Sequence, residues 1–306
     1  MPCPNPSDIE ILQKLAENPE AYLAYEESDQ MLTWCDGCGN FGIEQSLFRA
    51  LALEGIQNQE VLFCFDIGCH GNASDKIGAY TIHGLHGRVL PLAAGAVLAN
   101  NKMRVIAFAG DGGTFSEGVN HLVHTIRNNY PFLFICHNNE NYGLTTGQAS
   151  SATRKGSIMN SSPDGVLLDA VNVCHFALSL GATFVARTFS GDVKHLTKIL
   201  QAALHHNGFA FVEVMQLCPT YNKATSQNWF WERIQHIEDI PGYDVKNIDA
   251  ALAISQDLEK KIAMGILFQR EDTNFLEKVP QRKEKKTTLT EEVEYYDIQK
   301  FMEEFE

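Results

Sequence analysis

The chain has 306 residues and a formal charge of −14, from 24 basic against 38 acidic side chains. That length buries a large core, as one big α/β domain or two smaller ones, and the negative balance argues against nucleic acid as a partner. No apolar run approaches the ~18 residues of a membrane span, and the opening "MPCPNPSDIE" lacks the basic-then-apolar layout of a signal peptide. The expected setting is the cytoplasm, away from membranes.

In chain order, residues 1–30 read as a helical preamble of mixed polarity. "TWCDGCGNFG" (33–42) carries a Cys-x-x-Cys pair, and "IEQSLFRALALEG" (43–55) has helical spacing that ends at Gly55. "EVLFCFDIG" (60–68) is a continuous apolar run of the kind a buried parallel strand needs. "LPLAAGAVLANN" (90–101) reads as a helix, "RVIAFAGDGG" (104–113) as a strand and glycine turn, "SEGVNHLVHTIRNN" (116–129) as a helix, and "PFLFICHNN" (131–139) as a strand. After a polar, glycine-rich loop, helix and strand alternate again from 171 to 219. Repeated strand–helix units of this length predict an α/β fold, a doubly wound parallel sheet with helices on both faces. From about residue 228 the apolar strands are expected to stop. Residues 31–227 therefore read as one α/β domain, and 228–306 as a C-terminal extension whose charged end is a solvated or partner-wrapping tail.

Eight cysteines occur: Cys3, Cys35, Cys38, Cys64, Cys69, Cys136, Cys174 and Cys218. In a large cytoplasmic chain they are expected reduced, catalytic or metal-bound rather than paired as disulfides. Cys64, Cys136 and Cys174 sit in apolar runs and read as small buried hydrophobes. By itself Trp34-Cys35-x-x-Cys38 fits a thioredoxin-type redox pair, half of a zinc site or half of an iron–sulfur site.

In an open parallel sheet, ligands bind beyond the carboxyl ends of the strands. "DIGCHGN", "GDGG" and "NNENYG" all follow predicted strands. The glycines of "GDGG" let the backbone approach an anion. Asp111 is placed to hold a divalent cation bridging phosphate oxygens; Asn139 offers an amide oxygen and Asn141 a backbone carbonyl, a set suited to Mg²⁺. Gly-Asp-Gly, a helix, an apolar strand and Asn-Asn make up the thiamine diphosphate fingerprint. Two further isolated cysteines end predicted strands: Cys69 in "DIGCHGN" and Cys218 in "QLCPTYN". If those ends converge, Cys35, Cys38, Cys69 and Cys218 could close around a [4Fe–4S] cluster.

The ordered blocks "WCDGCGNFGI", "DIGC", "LHGRVLP", "GDGG", "NHLVHTIRNN", "NNENYGLTTGQ" and "QLCPTYN" resemble the beta subunit of the 2-oxoacid:ferredoxin oxidoreductases, most of all the 2-oxoglutarate type. The resemblance runs from about residue 31 to residue 275, since "GILFQREDTNF" is also similar to the family's tail. It implies thiamine diphosphate with Mg²⁺ at Asp111, Asn139 and Asn141, and a [4Fe–4S] cluster on Cys35, Cys38, Cys69 and Cys218. It further implies cofactor contacts from Ile67, Gly68, Cys69, His70, His86, Gly112, Gly113, Gly143 and Leu144. The implied reaction is reversible, coenzyme A-dependent oxidative decarboxylation of a 2-oxoacid, with 2-oxoglutarate or pyruvate as substrate and ferredoxin as acceptor. Only the diphosphate-binding half is matched, so an alpha subunit is expected as partner, in a heterodimer or a dimer of heterodimers.

Two positions depart from the family pattern: Asp36 where proline is usual, and His70 where serine is frequent. His70 and His86 are the candidate catalytic side chains, and His70 reads equally as a polar loop residue. His83 reads as structural. Arg88 could pair with a substrate carboxylate or make a salt bridge at a helix start. Glu117 and His121 are expected to face neighbours or solvent. A cluster-free thiamine diphosphate decarboxylase or synthase would leave four placed cysteines idle, and a zinc or thiol–disulfide protein would waste the diphosphate fingerprint. A non-catalytic assembly subunit is the remaining alternative, and the presence of Asp111 speaks against it.

Overall fold

The computed structural model describes residues 19–26, 32–282, 287–293 and 299–303. Of the helical preamble, α1 (Pro19–Glu26) is within them, and 1–18 and 27–31 lie outside. The strands are β1 (Val61–Phe65), β2 (Tyr80–His83), β3 (Arg104–Gly110), β4 (Leu133–Asn138), β5 (Phe184–Phe189), β6 (Ala210–Met215), β7 (Ile234–His236) and β8 (Ile262–Gln269). They form one sheet in the order β2-β1-β3-β4-β6-β5-β8-β7. The first six positions pair parallel, and β8 runs antiparallel to β5.

Helices cover both faces, as the alternating pattern requires. α2 (Gly39–Leu53) and α6 (Val193–Leu204) pack on one side; α3 (Val89–Ala99), α4 (Val119–Asn128), α5 (Val173–Ser179) and α8 (Ile248–Ile254) pack on the other, while the short α7 (Gln227–Trp231) lies beyond β6. Successive strand side chains point to opposite faces, so Phe63 and Phe65 join Leu47, Phe48 and Leu200, whereas Cys64 joins Val89 and Leu122. Cys64, Cys136 and Cys174 are all fully buried in the second of these cores, as expected from their apolar surroundings.

Two expectations need correction. Strands do not stop at residue 228: β8 is apolar and almost entirely buried, and it adds to the main sheet beside β5. The sheet is mostly parallel, as expected, with the β5–β8 pair antiparallel. β2 is a further strand that the apolar pattern missed, because at the sheet edge its side chains stay half or fully exposed. Of the charged tail, 283–286, 294–298 and 304–306 lie outside the described residues, and a short helix at Leu289–Val293 lies against α3 around Gly95, Leu98 and Ala99. Among the described residues no helix is long and apolar enough to cross a membrane.

Candidate functional site

From β1 the chain moves outward to β2, then returns to place β3 on the other side of β1. The strand order reverses there, and the crevice beyond the carboxyl ends of β1 and β3 is where such a sheet takes its ligand. The β3–β4 register sets Gly110 against His137, which brings Asp111 and Asn139 to the same edge. Asp111 is fully buried. Its Oδ2 accepts a hydrogen bond from the Ser150 hydroxyl, and its Oδ1 has no partner. Burial pushes this carboxyl up to about 7, with Ser150 opposing and Glu140 assisting. A buried carboxylate oxygen left unsatisfied costs roughly 1–3 kcal/mol or more, and a cation would remove that cost. Asn139 Oδ1 accepts the Asn141 N–H at 3.1 Å, and the Asn141 amide donates back to the Asn139 carbonyl at 2.8 Å. Asp111, Asn139 and Asn141 are therefore one buried, oxygen-rich group whose donor chemistry fits Mg²⁺.

Gly112 and Gly113 lead out of β3 into a wide helical turn, Gly112–Glu117, before α4 begins. A side chain at Gly113 would overlap the Asp66 carboxylate, and His86 Cδ2 is 3.5 Å from the same point. His86 also sits edge-on to Tyr142, with ring centroids 5.9 Å apart. Asp66, at the end of β1, accepts the Gly87 N–H at 2.8 Å through Oδ1. Its other oxygen is buried without a partner, and burial raises its carboxyl above the ordinary range. The sequence reading did not single out Asp66; the signal it gave was an acid ending an apolar strand.

The four candidate cluster cysteines come together. Cys35, Cys38, Cys69 and Cys218 line one cavity of about 150 Å³, shared with Asn139, Gly143 and Leu144. Three local devices bring them there. The Cys38 N–H closes a turn on the Cys35 carbonyl at 3.0 Å, the Gly39 N–H reaches the Leu217 carbonyl at 2.9 Å, and Trp34 Nε1 donates to the Cys69 carbonyl at 2.6 Å. Burial, reinforced by the neighbouring thiols, pushes Cys69 up to about 12, and burial also raises Cys38. Thiols so placed resist ionising unless metal charge balances them, and the donor set fits an iron–sulfur group. Gly143 joins the two halves of the site: a methyl there would lie 3.5 Å from Cys69 Sγ and 3.4 Å from Asn141 Oδ1. Gln216, also missed by sequence reasoning, points Nε2 at Cys38 Sγ, 3.6 Å away.

His70 does not join this group. It opens a short turn after Cys69 that aims its ring inward, against His137 at a centroid distance of 5.0 Å. Its Nε2 is buried and unpartnered, and burial holds it well below the ordinary histidine range. Ile67 and Leu144 are exposed at the edge. Asp36 is exposed, so acid in place of proline meets no burial cost. Arg88 donates to the Glu117 carbonyl at 2.9 Å rather than to a carboxylate, Glu117 accepts from the Tyr142 hydroxyl at 3.4 Å, and His83 packs behind Gly71 beside Ser74. Past Ser150 a wider cavity of about 770 Å³ opens between Tyr142 and exposed Leu167 and Leu168.

Fold, switch-point crevice and Gly-Asp-Gly turn together define a thiamine diphosphate-binding α/β domain. Residues 66–214 match the C-terminal TPP-binding domain of thiamine pyrophosphate enzymes, and residues 218–284 match the C-terminal domain of the pyruvate ferredoxin oxidoreductase beta subunit. A 2-oxoacid:ferredoxin oxidoreductase subunit beta from Sulfolobus sp. is 38% identical over 249 residues, 78% of this chain and 82% of that one. The 2-oxoglutarate synthase subunit KorB of Methanothermobacter marburgensis is 34% identical over 206 residues, 67% of this chain and 72% of its own length. A solved 2-oxoglutarate:ferredoxin oxidoreductase from Magnetococcus marinus, with 2-oxoglutarate, coenzyme A and succinyl-CoA bound, superposes with a TM-score of 0.82 at 30% identity, covering 92% of this chain and 94% of that one. The chain belongs to the 2-oxoacid:ferredoxin oxidoreductase family, as a beta subunit.

Proposed function

We propose that this beta subunit holds Mg²⁺–thiamine diphosphate and a [4Fe–4S] cluster side by side. With an alpha subunit, it would carry out coenzyme A-dependent oxidative decarboxylation of a 2-oxoacid, 2-oxoglutarate foremost, passing electrons to ferredoxin; the reverse carboxylation uses the same groups. The observation that carries this reading is the single cavity shared by four cysteines from three distant segments with Asn139, Gly143 and Leu144. When bound, thiamine diphosphate supplies an electron sink for breaking the bond to the carboxylate, and the cluster supplies one-electron steps.

The chain's own residues have separable tasks. Asp111, Asn139 and the Asn141 carbonyl would hold Mg²⁺ and so fix the diphosphate, which the backbone of Gly112 and Gly113 can approach closely. His86 is the candidate that contacts cofactor or substrate, oriented between Tyr142 and Asp66. Cys35, Cys38, Cys69 and Cys218 would hold the cluster, and Ile67, Gly68 and Leu144 would border the cofactor. The open cavity beyond Ser150, rimmed by exposed Leu167 and Leu168, supports a site completed by the alpha subunit, with the charged C-terminal stretch as a wrapping segment. A cytoplasmic setting suits thiols that must stay reduced.

Anaerobic purification with the alpha subunit tests the reading. The expected product is a brown complex with about four irons and matching sulfide per beta chain, which reduces a low-potential acceptor only with a 2-oxoacid and coenzyme A. A panel of 2-oxoacids identifies the substrate. A colourless zinc-bound chain, or full turnover by the beta chain alone, would overturn it.

A further inference from the structure

Away from the cysteine cavity, four ionisable side chains converge where α6 begins and β7 ends. Asp192 caps α6, its Oδ1 accepting the His195 N–H at 3.1 Å. His195 Nδ1 is 3.1 Å from the Thr188 hydroxyl, which leaves Nε2 facing the other way, buried and without a hydrogen-bond partner. His236, the last residue of β7, stacks its ring on that of His195, with centroids 4.5 Å apart and planes 25° apart. Its Nε2 also makes no well-directed hydrogen bond, although it lies 3.2 Å from Asp192 Oδ2. Glu238 stands at the rim, 3.8 Å from His195 Nε2. One donor atom each from Asp192, His195 and His236 lies within 4.8 Å of the others.

An ion-pair network explains only part of this. Asp192 would pair with a protonated His236 and Glu238 with a protonated His195, but the two stacked rings would then carry like charges 4.5 Å apart. A cation between the three donors satisfies all of them. We propose that Asp192, His195 and His236 form a site for a divalent transition metal of the Zn²⁺ type, with Glu238 able to close the fourth position. Imidazole nitrogens with carboxylate oxygens are a borderline donor set, which favours zinc over the hard Mg²⁺. With Nδ1 protonated, the Thr188 hydroxyl would accept its hydrogen and fix the tautomer that presents Nε2, as the outer partner of a metal-bound histidine does. Ligands on bonds of ~2.0 Å in a tetrahedral shell stand about 3.3 Å apart; Asp192 Oδ2 and His236 Nε2 already stand 3.2 Å apart, so binding would draw His195 in toward that pair. The consequence is mechanical. A bound ion would tie β7, which the chain reaches only after leaving β6, to the first turn of α6.

The site is tested on the full chain, stripped of metal by chelator and dialysed against Zn²⁺, alone or with its alpha subunit. The wild-type chain is expected to bind one equivalent more than Asp192→Asn or His236→Gln, because the cysteines contribute equally to all three. Asp192→Asn keeps the helix-capping oxygen and loses the charge, so circular dichroism should not change. Thr188→Val should weaken binding by about 10–100-fold without abolishing it. Cobalt substitution gives a reading that needs no variant: bound Co²⁺ should show ligand-field bands of nitrogen and oxygen coordination beyond those accompanied by thiolate charge transfer. Equal stoichiometry in wild type and folded variants, or wild-type cobalt that is wholly thiolate-bound, overturns the proposal.

Discussion

Two buried carboxylates, one inside the sheet and one at its edge, have opposite fates. Glu213, in β6, is 1 % exposed. One of its oxygens takes Arg187 Nε at 2.7 Å and the other takes the Asn138 amide at 2.7 Å. Burial would push it up, but Arg187 prevails and holds the carboxyl below its ordinary range. Asp111 is buried just as deeply, yet one oxygen has no partner and its carboxyl rises to about 7. Where polarity is satisfied within the protein, it serves the fold. Where it is left open at the carboxyl edge of β1 and β3, its cost is not offset by any partner among the described residues.

The largest effects should separate the cysteines that line the shared cavity from those that do not. Cys69→Ser or Cys218→Ser should cost the reconstituted chain its cluster, read as loss of iron, sulfide and visible absorption. Cys64→Ser and Cys174→Ser, in the core, should keep the cluster and lose stability instead. A cluster that persists in Cys218→Ser would break the four-ligand reading. Next, Glu213→Ala leaves the Arg187 guanidinium buried and unpaired and should cost about 3–5 kcal/mol in urea unfolding. The double replacement Arg187→Met with Glu213→Leu should cost less than that single change, because no unpaired charge remains.

Asp111→Asn tests the other half of the comparison. The amide can still meet Ser150, so the apo chain should fold with little change in stability. Mg²⁺-dependent binding of thiamine diphosphate should fall by about 100-fold, or about 2.7 kcal/mol, measured by calorimetry. Unchanged affinity would show that the open oxygen has no part in holding the cation.

The sequence foretold these regions unequally, for reasons that differ residue by residue. Strand–helix alternation was legible because β1, β3, β4 and β6 are buried on both faces and so read as unbroken apolar runs. β8 has the same signature in "IAMGILFQ" and was obscured by the charged composition around it. Asp111 and Asn139 were legible because their motif fixes both spacing and strand ends. Asp66 and Gln216 belong to no spacing rule; their importance follows from what the fold folds against them. Adjacency to Cys69 says nothing about direction, and the turn after Cys69 sends the His70 side chain inward.

The smallest effect supplies the control for this comparison. Glu44, on α2, lines a pocket with Trp34, Leu47 and Phe48. Burial, assisted by the charge of Glu26, pushes its carboxyl up to about 7. Unlike Asp111, it follows no strand and lies in the second turn of α2, in a pocket lined largely by apolar side chains. Below the unfolded value near 4.5 the proton is bound in both states. Between there and about pH 7 the unfolded chain releases its proton while the folded chain keeps it, so stability falls as pH rises, and above 7 the loss is complete. Glu44→Gln should remove that fall and stabilise the chain by about 1–2 kcal/mol at pH 7.5 but not at pH 4. Thiamine diphosphate affinity should stay where it was. If Glu44→Gln weakened cofactor binding as Asp111→Asn does, the unpartnered oxygen of Asp111 would no longer distinguish a ligand site from any other carboxyl that burial pushes up.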